Sequence, residues 1–576
     1  MATYYWVGGT GTWSATGNTQ FAITSGGAPT ILNPISTDTV IFDSASGTGT
    51  CTTASGAVCS SVTLNSSTLA LTLGANLTMS GIFTLTLGIL SLGSYTLTCQ
   101  IFSSANTNTR VINFGTGNVT LTGNANSIWL FNTLAGFSFT GTPTVNCTYA
   151  GSTGTRTINH GGTSGGSEAN SVSFYVTAGT DIVTSTNSIS LSLRNFDFTG
   201  FAGTLSNSTR NIYGNYVLNG TMTCTAGANA TTFAATSGTQ QITTNGKTLD
   251  FPLTQNGVGG TVQLQDNLTM GSTRTFTLTA GDLHINNRTL STGLFSSSNS
   301  NTRTIDFKSG NITVTGNNAT VYTTSTATNL TILGTPVVNL TYSGSTGTRT
   351  ITSSLNVGTF TSLPTFNISA GSDIVLFTNN SGTGCLSLNF TGFTGTCSSL
   401  PRSFVNNLTL VSGMTLTNLG NITFVGTSGT QQITTAGKTF DFAITFNGIG
   451  STFAFQDALT QGSTRNFIIT NGTVQLKNGV TSTVGAFATS GTNQKFLQST
   501  TPGSQATLSQ ASGTVNASYL TIRDINAVGG ATWNAYVNQF NSDAGNVDGW
   551  DFGISPVVGG AEYTYSMRSF TQPRRF

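Results

Sequence analysis

Ser237 to Phe276 reads SGTQQITTNGKTLDFPLTQNGVGGTVQLQDNLTMGSTRTF, and Ser428 to Phe467 reads SGTQQITTAGKTFDFAITFNGIGSTFAFQDALTQGSTRNF. The two stretches are identical at 27 of 40 positions and lie 191 residues apart. Gly151-Ser-Thr-Gly-Thr-Arg-Thr-Ile158 recurs at Gly344 to Ile351, and Gly141-Thr-Pro143 at Gly334 to Pro336, each 193 residues on. Asn76-Leu-Thr-Met79 returns as Asn267 to Met270, and Asn108-Thr-Arg110 as Asn301 to Arg303, which carries the first copy back toward residue 61. A fixed long period marks stacked units that share one core, not independent globules.

Within each period, short segments alternate apolar residues with Thr, Ser or Asn: Thr84-Leu-Thr-Leu87, Val119-Thr-Leu-Thr122, Ile312-Thr-Val-Thr315, Asn421-Ile-Thr-Phe424. That is the two-residue period of strands, and Gly and Asn punctuate it every few residues. No amphipathic helical stretch of ten or more residues is visible, so the chain is expected to be all β. Charged residues make up only 6% of it, against about 25% in ordinary soluble domains. Apolar residues at 37%, with 36 Phe, supply a core and set the chain apart from disordered sequence. Tandem sandwiches do not account for so bare a surface. A parallel solenoid does, because each outward side chain then sits about 4.8 Å from its counterpart on the next coil. Like charges at that spacing repel, whereas Thr and Asn ladders hydrogen-bond. The expected fold is an elongated parallel β-solenoid, or β-helix, with internal repeats of 191–193 residues and coils of roughly 20 residues.

The expected organisation is an N-terminal cap at 1–60, solenoid repeats at 61–252 and 253–443, a partial third repeat at 444–495, a C-terminal cap at 496–552 and a tail at 553–576. Caps are needed because a terminal coil otherwise exposes an unpaired strand edge and an open core. The first segment carries Tyr4-Tyr-Trp-Val-Gly-Gly-Thr-Gly-Thr-Trp13; the last coils carry Gly529-Gly-Ala-Thr-Trp533 and Asp543-Ala-Gly-Asn-Val-Asp-Gly-Trp-Asp-Phe552, with Trp533 and Trp550 expected to plug the end. These opening and closing motifs resemble those of large β-solenoid structural proteins of tailed bacteriophages, of tail-fibre, tailspike or head-fibre type, and more loosely haemagglutinin-like adhesins. The tail joins Tyr563, Tyr565 and Phe570 to Arg568, Arg574 and Arg575. It reads either as a frayed end or as a docking segment, since aromatic and Arg residues are common interface anchors.

Candidate chemistry is sparse, and no catalytic, cofactor-binding or metal-binding residue is expected. His160 and His284 sit in no metal or triad motif. Asp250 and Asp266 are 16 residues apart, as are Asp441 and Asp457, a spacing that suits adjacent coils of a glycan-cleaving spike. Yet Asp250 recurs as Asp441, Asp266 as Asp457 and Asp181 as Asp373, so these acids travel with the framework and are expected to cap turns by accepting backbone N–H groups. Glu168 lies in a Gly- and Ser-rich loop without an obvious partner. Asp543, Asn546 and Asp548 do not follow a calcium-loop spacing and read as a turn. Seven widely spaced cysteines, none in a CxxC pair, are expected to be buried core residues, with only Cys51 and Cys59 near enough to stack.

A net charge of +2 argues against nucleic acid as a partner, and no run approaches 18 apolar residues, so membrane insertion is not expected. Met1-Ala-Thr-Tyr-Tyr-Trp6 lacks the pattern of a Sec signal, which predicts synthesis in a cytoplasm. The resemblance implies a non-enzymatic virion protein, a fibre or spike that presents a host-attachment surface. It also implies a homo-oligomer, a trimer in many such proteins, attached to other virion proteins and facing a host cell-surface glycan or protein; residues 553–576, if read as the docking segment and not as a frayed end, would make that attachment. The rival expectations are a bacterial surface adhesin, a polysaccharide-degrading tailspike, and an ice-binding solenoid suggested by Thr-x-Thr steps.

Overall fold

The computed structural model describes residues 1–124, 127–161, 167–185, 191–317, 320–356, 362–379, 384–417 and 420–555. Most of the docking segment expected at 553–576 therefore lies outside the described residues. The chain divides into two compact units, Met1–Ser403 with Gly413–Asn418, and Phe404–Ser412 with Leu419–Phe576. Each is a β-solenoid of stacked coils, and the helical content of the described residues is two 3-10 turns, Glu168–Asn170 and Val537–Gln539.

In the first unit, strands two to thirteen residues long pair in parallel with the equivalent strand of the next coil. Leu97, Val119, Val145 and Phe174 follow one another up such a ladder, all buried. The strands Thr96–Cys99, Asn118–Leu121 and Thr144–Cys147 alternate outward and buried positions. Alternation puts like residues in register on both faces. Inside, Phe83, Phe102 and Trp129 stack with ring centroids 5.1 and 5.0 Å apart. The second copy repeats this with Phe276, Phe295 and Tyr322 at 6.2 and 5.5 Å. Outside, Asn146 donates to Asn118 at 3.2 Å; in the second copy Asn339 donates to Asn311 at 3.3 Å and Asn367 to Asn339 at 2.9 Å.

The long sequence period is visible as repeated strand geometry. Ser61–Leu73, Leu253–Leu264 and Ile444–Phe455 are the long strands at the start of each copy. Each breaks register at the same place, after Leu64, Gln255 and Phe446. Successive coils are 19 residues apart where Phe83 meets Phe102 and 29 where Trp129 meets Ile158. The longer coils exceed the expected 20 because extended turns such as Tyr149–Gly154 are inserted between strands.

The N-terminal coil is closed by a change of direction. Thr3–Trp6 pairs in parallel with Thr39–Phe42 on one side and antiparallel with Phe21–Ala22 on the other. The antiparallel strand covers the edge that the parallel ladder leaves open. Beneath it Trp6, Trp13, Phe21 and Phe42 form a buried cluster, with Trp6 edge-on to Phe21 at 5.2 Å.

In the second unit Phe404, Phe424 and Phe446 stack at 5.4 Å intervals. Its last coils end on Phe487, Trp533 and Trp550, with the two indoles 4.9 Å apart. Val515 pairs with Trp533 in a parallel strand, which fixes that indole over the core.

Cys51 and Cys59 do not stack on each other. Cys51 lies in register with Leu71 and Gly11, Cys59 with Met79, because their two strands belong to different faces of the coil. All seven thiols are free, and all but Cys224 are buried.

Candidate functional site

Most charged side chains in the first unit are used to hold one coil to the next. Arg110 and Arg303, equivalent by the 193-residue offset, are fully buried. Arg303 donates through Nε to Asn301 O at 2.9 Å, through Nη1 to Ser297 O at 2.8 Å and through Nη2 to Thr326 O and Thr328 O at 3.0 and 2.9 Å. A guanidinium at the corner thus collects carbonyls that the turn leaves without strand partners, which is why its charge is tolerated inside. Lys495 in the second unit does the same work, donating to Gly491 O, Asn493 O and Ser518 O.

The recurring Gly-Ser-Thr-Gly-Thr-Arg motif positions a second kind of buried cation. Arg156 grips Asp181 with two bonds, Nε to Oδ2 at 2.8 Å and Nη2 to Oδ1 at 2.6 Å, and both side chains are inaccessible to solvent. Tyr149 and Phe201 flank the guanidinium at 5.7 and 5.4 Å. Arg349, Asp373, Tyr342 and Phe393 reproduce the arrangement in the second copy. Asp181 and Asp373, expected to cap turns through backbone N–H groups, are therefore the anionic halves of buried ion pairs. The chain passes close by at Gly179, whose φ is +103° and whose absent Cβ would lie 2.6 Å from Arg156 Nη2.

The remaining acids separate in the same manner. Asp266 accepts from the backbone N–H of Thr244 at 2.9 Å, and Asp457 from that of Thr435 at 2.9 Å, as a ladder-capping Asp should. Asp250 and Asp441 instead pair with Arg274 and Arg465 at 2.6 and 2.7 Å. Each member of the 16-residue pairs is thus committed to a different coil neighbour. Glu168, for which the sequence shows no obvious partner, accepts from Thr236 N at 3.1 Å and Thr236 Oγ1 at 2.8 Å. That partner is 68 residues away and has no sequence signal. Asp543 accepts from Gly545 N, Asn546 donates to Asp524, and Asp548 accepts from Gln505, so the three do not converge. Among the described residues no group of three or more His, Cys, Asp or Glu side chains is placed to hold a metal ion.

His160 is fully buried and satisfied at both nitrogens: Nδ1 accepts from Trp129 Nε1 at 3.1 Å, and Nε2 faces Asn170 O at 2.7 Å. The bond to a carbonyl requires the proton on Nε2. The rings of Trp129, Phe131, Phe139 and Phe174 surround the imidazole, and burial lowers its pKa to about 4. His284 is half-buried, in register with Asp306.

Beside this aromatic cage lies a cleft of about 400 Å³ in the first unit. Its walls come from three successive coils: Phe139 and Pro143 from the first, Ser173 and Tyr175 from the next, Arg194 and Asn195 from the third. Asn195 Nδ2 is 3.3 Å from both Ser173 Oγ and Tyr175 Oη, while its Oδ1 accepts from Asn215 N at 2.8 Å. Arg194 is exposed and makes no ion pair among the described residues.

The lining departs from the repeat. Tyr175 follows Asn146 in register, as Asn367 follows Asn339 in the second copy, so the tyrosine interrupts the outward asparagine ladder. By the same 192-residue offset that aligns Phe198 with Phe390, Arg194 corresponds to Leu386 and Asn195 to Ser387. The sequence motifs do not point to these positions; the signal that marks them is the difference between the two copies, Tyr175 against Asn367 and Arg194 against Leu386. No family model matches the chain, and comparison with curated proteins and with solved structures finds no match.

Proposed function

We propose that the protein is a non-enzymatic fibre or spike of a tailed phage particle that presents a surface for attachment to the host cell. The observation that carries this reading is the commitment of its charged groups. The recurring acids and buried cations bond one coil to the next, and what faces outward is largely hydroxyl and amide ladders. Such a protein acts by geometry, holding contact surfaces in place, and several copies on one particle raise the avidity of weak individual contacts. Trp6 with Phe42, and Trp533 with Trp550, cover the apolar interior of the coils they close, as a solenoid with packed ends requires. Attachment through the tail at 553–576 is part of the same proposal.

The test is electron cryo-microscopy of the particles or cells that produce the protein, with a label on the C-terminal tail. The expected result is a multimer projecting from a phage head or tail at a fixed site. A chain lacking Gly553 to Phe576 is expected to fold and to be missing from particles. Label found on a bacterial surface would replace the proposal with an adhesin.

A further inference from the structure

The geometry points to the cleft between Phe139 and Arg194 as a binding site for a saccharide that bears a carboxylate. It rests on the attachment proposal only for the biological source of the sugar; the chemistry stands on the cleft itself. Its volume of about 400 Å³ lies in the range of small-ligand sites, about 300 to 1,000 Å³.

Three features combine. Phe139 is held edge-on by Phe137 at 5.5 Å and packs on the His160 ring at 6.2 Å, so it is a fixed apolar wall. A flat C–H face of a sugar ring suits such a wall, and Tyr175 offers a second aromatic surface with a polar tip. Asn195 ties Tyr175 Oη and Ser173 Oγ into one polar edge before any ligand arrives, which lowers the cost of ordering them on binding. Arg194 brings a planar, permanently charged fork with no anionic partner among the described residues, and a carboxylate is its geometric complement.

The internal repeat supplies the argument that these side chains serve something other than the fold. In the second copy the coil is built with Asn367, Leu386 and Ser387, and Asn367 gains a ladder bond to Asn339 at 2.9 Å. The first copy forgoes that bond to place Tyr175 at the cleft. Phe139 likewise stands where the second copy has Ile332, which is buried.

The second copy also supplies the variants. Arg194→Leu and Tyr175→Asn each install the residue that the equivalent coil already carries, so the coil should still close; circular dichroism and a melting curve check this. The probes are the trimer of galacturonic acid, its methyl ester and acetate, titrated into the full chain by calorimetry. The trimer is expected to bind, with the methyl ester about ten- to hundredfold weaker, the value of one charge-assisted contact. Arg194→Leu should remove that difference, and Tyr175→Asn should weaken trimer and ester alike. Failure of the full chain to bind the trimer, unchanged discrimination in Arg194→Leu, or acetate binding as tightly as the trimer would each overturn the assignment. Positive titrations on a chain absent from phage particles would leave this site standing and refute only the attachment proposal.

Discussion

His160 offers a measurement with a worked magnitude. Its imidazole is inaccessible to solvent, enclosed by Trp129, Phe131, Phe139 and Phe174, and bonded to Trp129 Nε1 and Asn170 O. Burial, the larger influence, brings the folded pKa down to about 4, and the Asn170 carbonyl opposes it only in part. The unfolded value is about 6.5. A histidine whose folded pKa is depressed stabilises the fold fully above pH 6.5 and loses that contribution as pH falls toward 4. Between pH 7.5 and pH 4.5 the loss from this one group comes to about 2.5 kcal/mol. Because a solenoid can open locally, the appropriate assay is amide hydrogen exchange over Ser127–Phe131, Thr155–His160 and Val172–Val176 at the two pH values. His160→Ser, the residue at the equivalent Ser353, provides the control: the variant starts less stable but should lack about 2.5 kcal/mol of the pH-dependent loss. The chain has two histidines, so nitrogen-edited NMR with a His284→Gln control also reads the titration directly. A His160 resonance titrating near 6.5, or equal pH dependence in wild type and variant, would refute the reasoning.

Three further outcomes are expected. Arg156→Met leaves Asp181 buried without its partner and should cost about 3–5 kcal/mol; Arg349→Met should cost the same over Thr348–Ser353, and unchanged exchange protection in either would contradict the pairing. Gly179→Ala places a methyl group against Arg156 at a φ of +103° and should destabilise by more than about 1 kcal/mol, seen as lost protection around Asp181. Burial pushes the thiol pKa values of Cys59, Cys99, Cys147 and Cys397 up to about 12, and that of Cys224 to about 11, so a thiol reagent at pH 8 should label Cys224 first and the other four only on unfolding; rapid labelling of Cys99 or Cys147 in the native protein would contradict their placement.

The solenoid was legible because its two signals are local or periodic: the alternation in stretches such as Val119–Thr122, and the 191–193-residue return of whole motifs. The role of Asp266 and Asp457 was legible for the same reason, as a residue required once per copy is tied to the framework. Partners set by coil stacking were not. Arg156 and Asp181 are 25 residues apart, and nothing in their spacing distinguishes a buried ion pair from two surface turns. Glu168 and Thr236 are further apart still. Cys51 and Cys59 looked adjacent because they are eight residues apart, yet a corner of the coil sends them to separate ladders. The cleft draws on three coils, so no linear motif contains it, although Tyr175 in place of Asn367 and Arg194 in place of Leu386 mark it once the copies are aligned.

The matching register breaks at the start of each copy have a consequence for the length of the chain. Thr231–Phe233 receives Leu253–Gln255 as its ladder partner in the way that Ile422–Phe424 receives Ile444–Phe446. Excising residues 253–443 would therefore present Thr231–Phe233 with Ile444–Phe446, a neighbour of the same shape and pleat. The joint at the boundary is self-compatible, so copy number is a free variable of this architecture. A chain one period shorter is therefore expected to close its coils with both aromatic ends in place.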